Sequence, residues 1–131
     1  TLVSIESDLT VRTYDIDIAG HVNNVVFVRW LEDARVELFN KLRSIAELIQ
    51  EGLFPVVTKT EIQYKRQIKL NDECRILMRL DSIRHSLMFL VAEVYVGDSL
   101  CAKATQQCAI IDLNTNVIKR VSLEDSFKIL P

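Results

Sequence analysis

The stretch that decides the fold is residues 11–35, VRTYDIDIAGHVNNVVFVRWLEDAR. Its first half is polar and breaks any regular period. Asp15, Asp17, Gly20, His21, Asn23 and Asn24 follow one another closely, which reads as a loop. Its second half is a helix. Phe27, Trp30, Leu31, Ala34, Leu38, Leu42 and Ile45 recur at helical spacing as one apolar stripe, with Arg29, Asp33, Lys41 and Arg43 off it. Glu37 and Lys41 add a favourable i,i+4 pair. Asn23 or Asn24 suits the N-cap, so the first backbone N–H groups of the helix face the loop. A stripe carrying Phe and Trp is core, and this helix is expected to pack on a sheet.

Upstream, residues 4–14 carry Ile5, Leu9, Val11 and Tyr14 among polar residues, a first strand with imperfect alternation. Downstream, Ser44-Ile45-Ala46-Glu47 fits a capping box and predicts a short second helix to Glu51, closed by Gly52 and Pro55. Four strands follow. Residues 56–64 place Thr58, Thr60, Ile62 and Tyr64 on one face, and residues 74–80 place Cys74, Ile76, Met78 and Leu80 on one face. Residues 87–96 are almost wholly apolar, and residues 100–112 form the last long strand. Turns are expected at 71–72, 84–86, 97–98 and 114–116. Such short connections imply antiparallel neighbours. The fold class is α+β: a curved antiparallel sheet of about five strands wrapped around one long helix, as one domain over residues 1–131. Residues 87–96 are apolar on both faces while one helix covers only one. A homodimer or homotetramer is expected to cover the other and hide an edge strand.

The 131 residues are 49% hydrophobic, enough for one core, and 26% charged. A formal net charge of -2 argues against a nucleic-acid partner. No apolar run is long enough to span a membrane, and residues 1–8 show no signal pattern. Cys74, Cys101 and Cys108 match no zinc spacing and read as buried free thiols of a reducing compartment. The chain does not begin with Met, so processing or excision from a longer chain is open. The expected address is the cytoplasm, or an organelle lumen after removal of a transit peptide. No metal site and no cofactor is expected.

The block around Asp17 resembles the 4-hydroxybenzoyl-CoA thioesterase and acyl-ACP thioesterase branch of the hotdog superfamily. That pattern is an aromatic or small residue, then D-x-D-x-x-G-H-V-N-N, then an aromatic-rich helix with an acidic-then-Arg segment. Tyr14, Asp15, Asp17, Gly20, His21, Val22, Asn23 and Asn24 match it, as do Trp30, Glu32, Ala34 and Arg35 in the helix. Tyr64, Asp72, Ser86, Phe89, the long strand to Asp112 and the following Asn114-Thr115 fit the layout more loosely. Phe27 stands where the family often has Tyr, which alters a pocket contact without removing the chemistry. The resemblance implies a hotdog fold and hydrolysis of acyl-CoA or acyl-carrier-protein thioesters in fatty-acid metabolism. It implies Asp17 as nucleophile or general base, with the N–H groups at the helix start clamping the carbonyl.

Elementary chemistry fits that assignment. The leaving thiol has a pKa of about 8.5 and departs as thiolate without a strong general acid. One carboxylate and one polarising group therefore suffice. Asp17 supplies the first, and the helix N-terminus near Asn24, Val25 and Val26 the second. Taken without the motif, Asp17 would be a solvated loop acid. Asp15, at the strand end, is expected to bond turn backbone. His21 either orients substrate and tunes Asp17 or is a turn residue. Asn23 and Asn24 are caps first, and one of them also touches the carbonyl. Val25 is the remaining substrate-binding candidate. Glu32 is a reserve catalytic acid whose blander role is a partner for Arg35. Lys65, Arg66, Lys69, Arg84, His85, Lys119 and Arg120 are candidate contacts for phosphates, none singled out. A non-catalytic hotdog that binds an acyl or aromatic ligand or scaffolds a partner is the alternative, and a hydratase is a third reading.

Overall fold

The computed structural model describes residues 3–122 and 127–130. The ends of the one-domain reading, Thr1, Leu2 and Pro131, and residues 123–126 lie outside the described residues.

Strand β1 (Val3–Leu9) leads through a 3-10 turn (Thr13–Asp15) and the Asp17 loop into helix α1 (Asn24–Leu42). A short helix α2 (Ile45–Gln50) follows, then strands β2 (Leu53–Tyr64), β3 (Cys74–Arg84), β4 (Leu87–Val96) and β5 (Ser99–Asp112). The strands lie in the order β1-β3-β4-β5-β2, antiparallel throughout. A two-residue strand β6 (Ile118–Lys119) pairs with β5, and β7 (Val121–Ser122) pairs with β8 (Lys128–Ile129). The predicted α+β wrap of five long strands on one helix is the observed architecture.

The helix stripe is buried as expected: Phe27, Trp30, Leu31, Ala34 and Leu38 all lie in the core, joined by Val26 and Phe39. It meets the alternating inward residues of β3, namely Cys74, Ile76, Met78 and Leu80, and of β4, namely Met88, Leu90, Ala92 and Val94. Ile45 belongs to α2 rather than to α1, because Arg43 takes extended backbone and Ser44 caps a new helix. The first strand is shorter than the predicted 4–14. Leu9 pairs with Cys74, the first residue of β3, so no partner strand remains beyond it. Residues 12–15 instead close a turn, with the Arg12 N–H donating to Asp15 Oδ2 at 2.8 Å and the Asp15 N–H to the Arg12 carbonyl at 3.0 Å. A register shift between Val57 and Lys59 takes Thr58 out of the regular alternation of β2, leaving Thr60, Ile62 and Tyr64 in it.

Along β4 the second face is half-buried rather than buried. Arginine side chains shield it: the Arg84 guanidinium lies 4.5 Å from the Phe89 ring centroid and that of Arg75 lies 4.8 Å from Tyr95. The apolar residues that argued for a covering partner are thus partly covered by their own strand neighbours. No described helix is long and apolar enough to cross a membrane.

Cys74, Cys101 and Cys108 are buried free thiols. Burial, and then the nearby Asp72 charge, push the Cys74 thiol from 9.0 up to about 12, and burial pushes Cys108 from 9.0 up to about 11. In the folded chain both stay protonated at pH values where the unfolded chain has released its protons. The unfolded state then binds fewer protons, so stability falls as pH rises above about 9, by up to ~1.4 kcal/mol per pH unit for each thiol. In urea titrations at pH 8 and pH 10.5, the stability advantage of wild type over Cys74→Ala should shrink at the higher pH. An unchanged gap would show that the thiol ionises equally in both states.

Candidate active site

The Asp17 loop is built by backbone pairing. The Asp17 N–H donates to the His21 carbonyl at 2.8 Å, and the Gly20 N–H returns to the Asp17 carbonyl at 3.0 Å. Gly20 has φ +83, and a Cβ there would meet nothing within 4 Å, so backbone conformation alone favours glycine. The Asn23 N–H donates to the carbonyl of buried Asp15 at 2.8 Å, and the Val22 N–H donates to the Ile68 carbonyl at 2.7 Å. His21 forms a β-bridge with Lys69. The segment between β2 and β3 therefore clamps the loop from outside. Asp15 holds backbone at both ends of the loop, the structural part expected of it.

Asp17 is held differently. Its Oδ1 accepts the Ala19 N–H at 2.9 Å and the His21 N–H at 3.1 Å. Its Oδ2 takes no hydrogen bond from the described residues. One carboxylate oxygen is thus an anchor that fixes the group's direction and the other is left for solvent or substrate. The side chain is only half-buried.

Asn23 is the N-cap of α1, its Oδ1 accepting the Val25 N–H at 3.1 Å, while the Val26 N–H goes to the Asn23 carbonyl at 2.9 Å. Of the N–H groups expected to be free at the helix start, those of Val25 and Val26 are occupied. The Asn24 N–H has no acceptor among the described residues. It is the donor the helix start leaves open, at the positive end of the helix dipole. Asn23, Asn24 and Val25 are all exposed, as are Tyr14 and Ile18 beside them.

A groove of about 560 Å³ runs beside this helix start, floored by Val22, Phe27 and Ile68 and edged by Asn24, Tyr64 and the cations Lys65 and Arg66. Tyr64 packs edge-on to Phe27 at 5.2 Å between ring centroids, and its hydroxyl lies 3.5 Å from the Asn24 carbonyl. Ile68 went unremarked in the sequence, and Val22 was read only as part of the matching motif, without a place in a groove.

Glu32 pairs with Arg35, and Arg35 Nη1 donates to Oε1 of the buried Gln106 at 3.1 Å. Gln106 Nε2 in turn donates to Thr60 Oγ1 at 3.2 Å. This chain of bonds ties α1 to β5 and β2, so Glu32 serves as the partner of Arg35, as its blander reading had it. Among the described residues, no group of three or more His, Cys, Asp or Glu side chains is placed to hold a metal ion.

Residues 11–129 match the sequence profile of the thioesterase-like superfamily. The chain belongs to that superfamily. By family it is a thioester hydrolase, and its sheet-wrapped helix is the hotdog fold. The long-chain acyl-CoA thioesterase FadM of Escherichia coli (strain K12) is 25% identical over 126 residues, covering 95% of this chain and 94% of FadM. The uncharacterized protein YsmA of Bacillus subtilis (strain 168) is 30% identical over 100 residues. Those residues are 76% of this chain but 65% of YsmA, so the match spans just under two thirds of that relative. A thioesterase from Thermus thermophilus, solved with coenzyme A and Zn, superposes with a TM-score of 0.74 at 27% identity, over 92% of this chain and 86% of that one.

Proposed function

We propose that the chain hydrolyses acyl-CoA thioesters, with Asp17 as the reacting carboxylate and the Asn24 N–H polarising the thioester carbonyl. One observation carries this reading. On a single clamped loop, a carboxylate keeps one oxygen unbonded, and a few residues on a helix start keeps one N–H unbonded. An electron-rich group and an oxyanion donor are the two things thioester cleavage needs. Either Oδ2 attacks the carbonyl carbon, or it takes a proton from a water that attacks. The carbonyl oxygen gains negative charge against the Asn24 N–H, the C–S bond breaks, and the thiol leaves as thiolate. In the first route water then hydrolyses the acyl-Asp17 anhydride. In both routes acid and thiol are the products. His21, whose backbone shapes the loop, and Asn23, which caps the helix, position these groups. Val25 lies exposed beside them, a contact for the acyl chain.

FadM, a long-chain acyl-CoA thioesterase, and the coenzyme A complex of the Thermus enzyme support CoA over a carrier protein as the thiol carrier. The assay is free-thiol release from a panel of acyl-CoAs, short to long and aliphatic to aromatic, beside the same acyl groups on carrier protein. Release from acyl-CoA is expected. Binding of every acyl-CoA with no release would favour the non-catalytic ligand-binding reading.

Residues 1–131 form one hotdog domain in this reading, and the active unit is at least a homodimer. Strand β2 is the longer of the sheet's two edge strands, twelve residues against seven in β1, and the loop and helix start beside the groove are exposed in a single chain. A second copy pairing along β2 would remove the edge and close the site. Light scattering on the eluted protein should give twice or four times the chain mass, and a monomer at micromolar concentration would refute this. Cytoplasmic residence accords with the buried free thiols.

A further inference from the structure

We infer that Lys65 and Arg66 form a phosphate-binding rim that selects coenzyme A thioesters; this rests on the proposed thioesterase reading. The sequence scatters its basic residues over turns and strand ends, but the fold separates them. Arg84 is laid over Phe89, beside a different groove on the outer sheet face. Lys69 bridges His21 through its backbone, against the Asp17 loop, but does not line the groove, and Lys119 lies on β6. Only Lys65 and Arg66 among them line the groove that holds Asn24.

Their charges are uncompensated. Arg35, Arg43, Lys59, Arg75 and Arg79 all have carboxylate partners within ion-pair distance, whereas Lys65 and Arg66 have none among the described residues. Arg66 Nη1 meets only the neutral Ser99 hydroxyl, at 3.2 Å. Their backbone is held firmly, since both N–H groups donate to the Cys101 carbonyl, at 2.8 and 3.0 Å. Two adjacent exposed cations on a held backbone, beside an apolar-floored groove, suit a ligand with an uncharged arm and several phosphate charges. A CoA thioester has that form: the thioester at Asn24, the pantetheine arm in the groove, the phosphates at Lys65 and Arg66. The arm on a carrier protein has a single phosphodiester charge and makes less use of two cations.

The test compares wild type with the double variant Lys65→Gln, Arg66→Gln, in which the amide introduced by Arg66→Gln retains an N–H donor for Ser99. Two readouts are used: calorimetric binding of free CoA at low and high salt, and kcat/KM on acyl-CoA and acyl-pantetheine. Loss of charge-assisted phosphate contacts should weaken CoA binding at least tenfold and flatten its salt dependence. It should also raise KM for acyl-CoA and close most of the gap between acyl-CoA and acyl-pantetheine. Equal CoA affinity in the two proteins overturns the phosphate site. So does wild-type hydrolysis of acyl-pantetheine as efficiently as acyl-CoA, and in that case the thioesterase reading stands. Conversely, CoA binding that depends on both cations in a protein that hydrolyses no thioester upholds the phosphate site and removes the thioesterase reading.

Discussion

Asp17→Asn should lower kcat for acyl-CoA hydrolysis by about 10²–10⁴-fold with little change in KM, the range expected when a nucleophile or general base is removed. Asparagine is the informative substitution because it is nearly isosteric. Its side-chain oxygen can still accept the Ala19 and His21 N–H groups now held by Asp17 Oδ1. The loop should therefore keep its shape, and the thermal midpoint should move little. What disappears is the charge and basicity of the second oxygen. An alanine at this position would confuse lost chemistry with a loosened loop. A kcat unchanged in Asp17→Asn on every accepted substrate would remove Asp17 from the mechanism. Retained activity in Asp17→Asn but not in Glu32→Gln would move the role to the helix acid that Arg35 now holds.

The second large effect is on stability. Phe39→Ala should cost about 3–5 kcal/mol, the usual range for a fully buried aromatic cut back to alanine. Phe39 is 1% exposed, next to Leu38 at 0%, on the helix face that packs into the sheet. It belongs to the core cluster that α1 shares with strands pinned by their ladders, so little collapse into the vacated space is expected. Against a total stability of about 5–15 kcal/mol, such a loss is a large fraction. Urea titration should show a lower midpoint with an unchanged slope, and the melting temperature should fall by roughly 10–20 °C. The protein that remains folded should turn over substrate normally. Phe39 lies fifteen residues along α1 from Asn24, about 22 Å at 1.5 Å per residue. A loss below about 1 kcal/mol would mean that the helix packs more loosely against the sheet than its burial implies.

These two effects lie at opposite ends of one helix, and the sequence exposes both ends. The apolar stripe from Phe27 to Leu38 shows its period, because an α-helix on a sheet must bury one face whatever the rest of the fold does. The β3 alternation of Cys74, Ile76, Met78 and Leu80 is legible for the same reason. Turns at Asn71, His85, Gly97 and Asn116, all with positive φ, fall where turn-forming residues interrupt strand patterns. Local chemistry also marks the capped loop that carries Asp17.

What local patterning cannot carry is the relation between distant segments. The end of β1 at Leu9 depends on where β3 begins, and nothing in residues 10–14 encodes that. Composition suggested a second apolar face on β4, but cross-strand arginines over Phe89 and Tyr95 decide how much of it meets water. Which helix N–H stays free depends on the rotamer of Asn23, which occupies Val25 and leaves Asn24 open. The sequence by itself determined the helix, its cap, the alternating strands and the carboxylate loop, because each follows from the periodicity and hydrogen-bonding needs of contiguous residues. Only the tertiary structure brought Ile68 against Val22 and set Lys65 and Arg66 beside Asn24. Contacts across some forty residues of chain are fixed by sheet order and packing, and no local pattern records them.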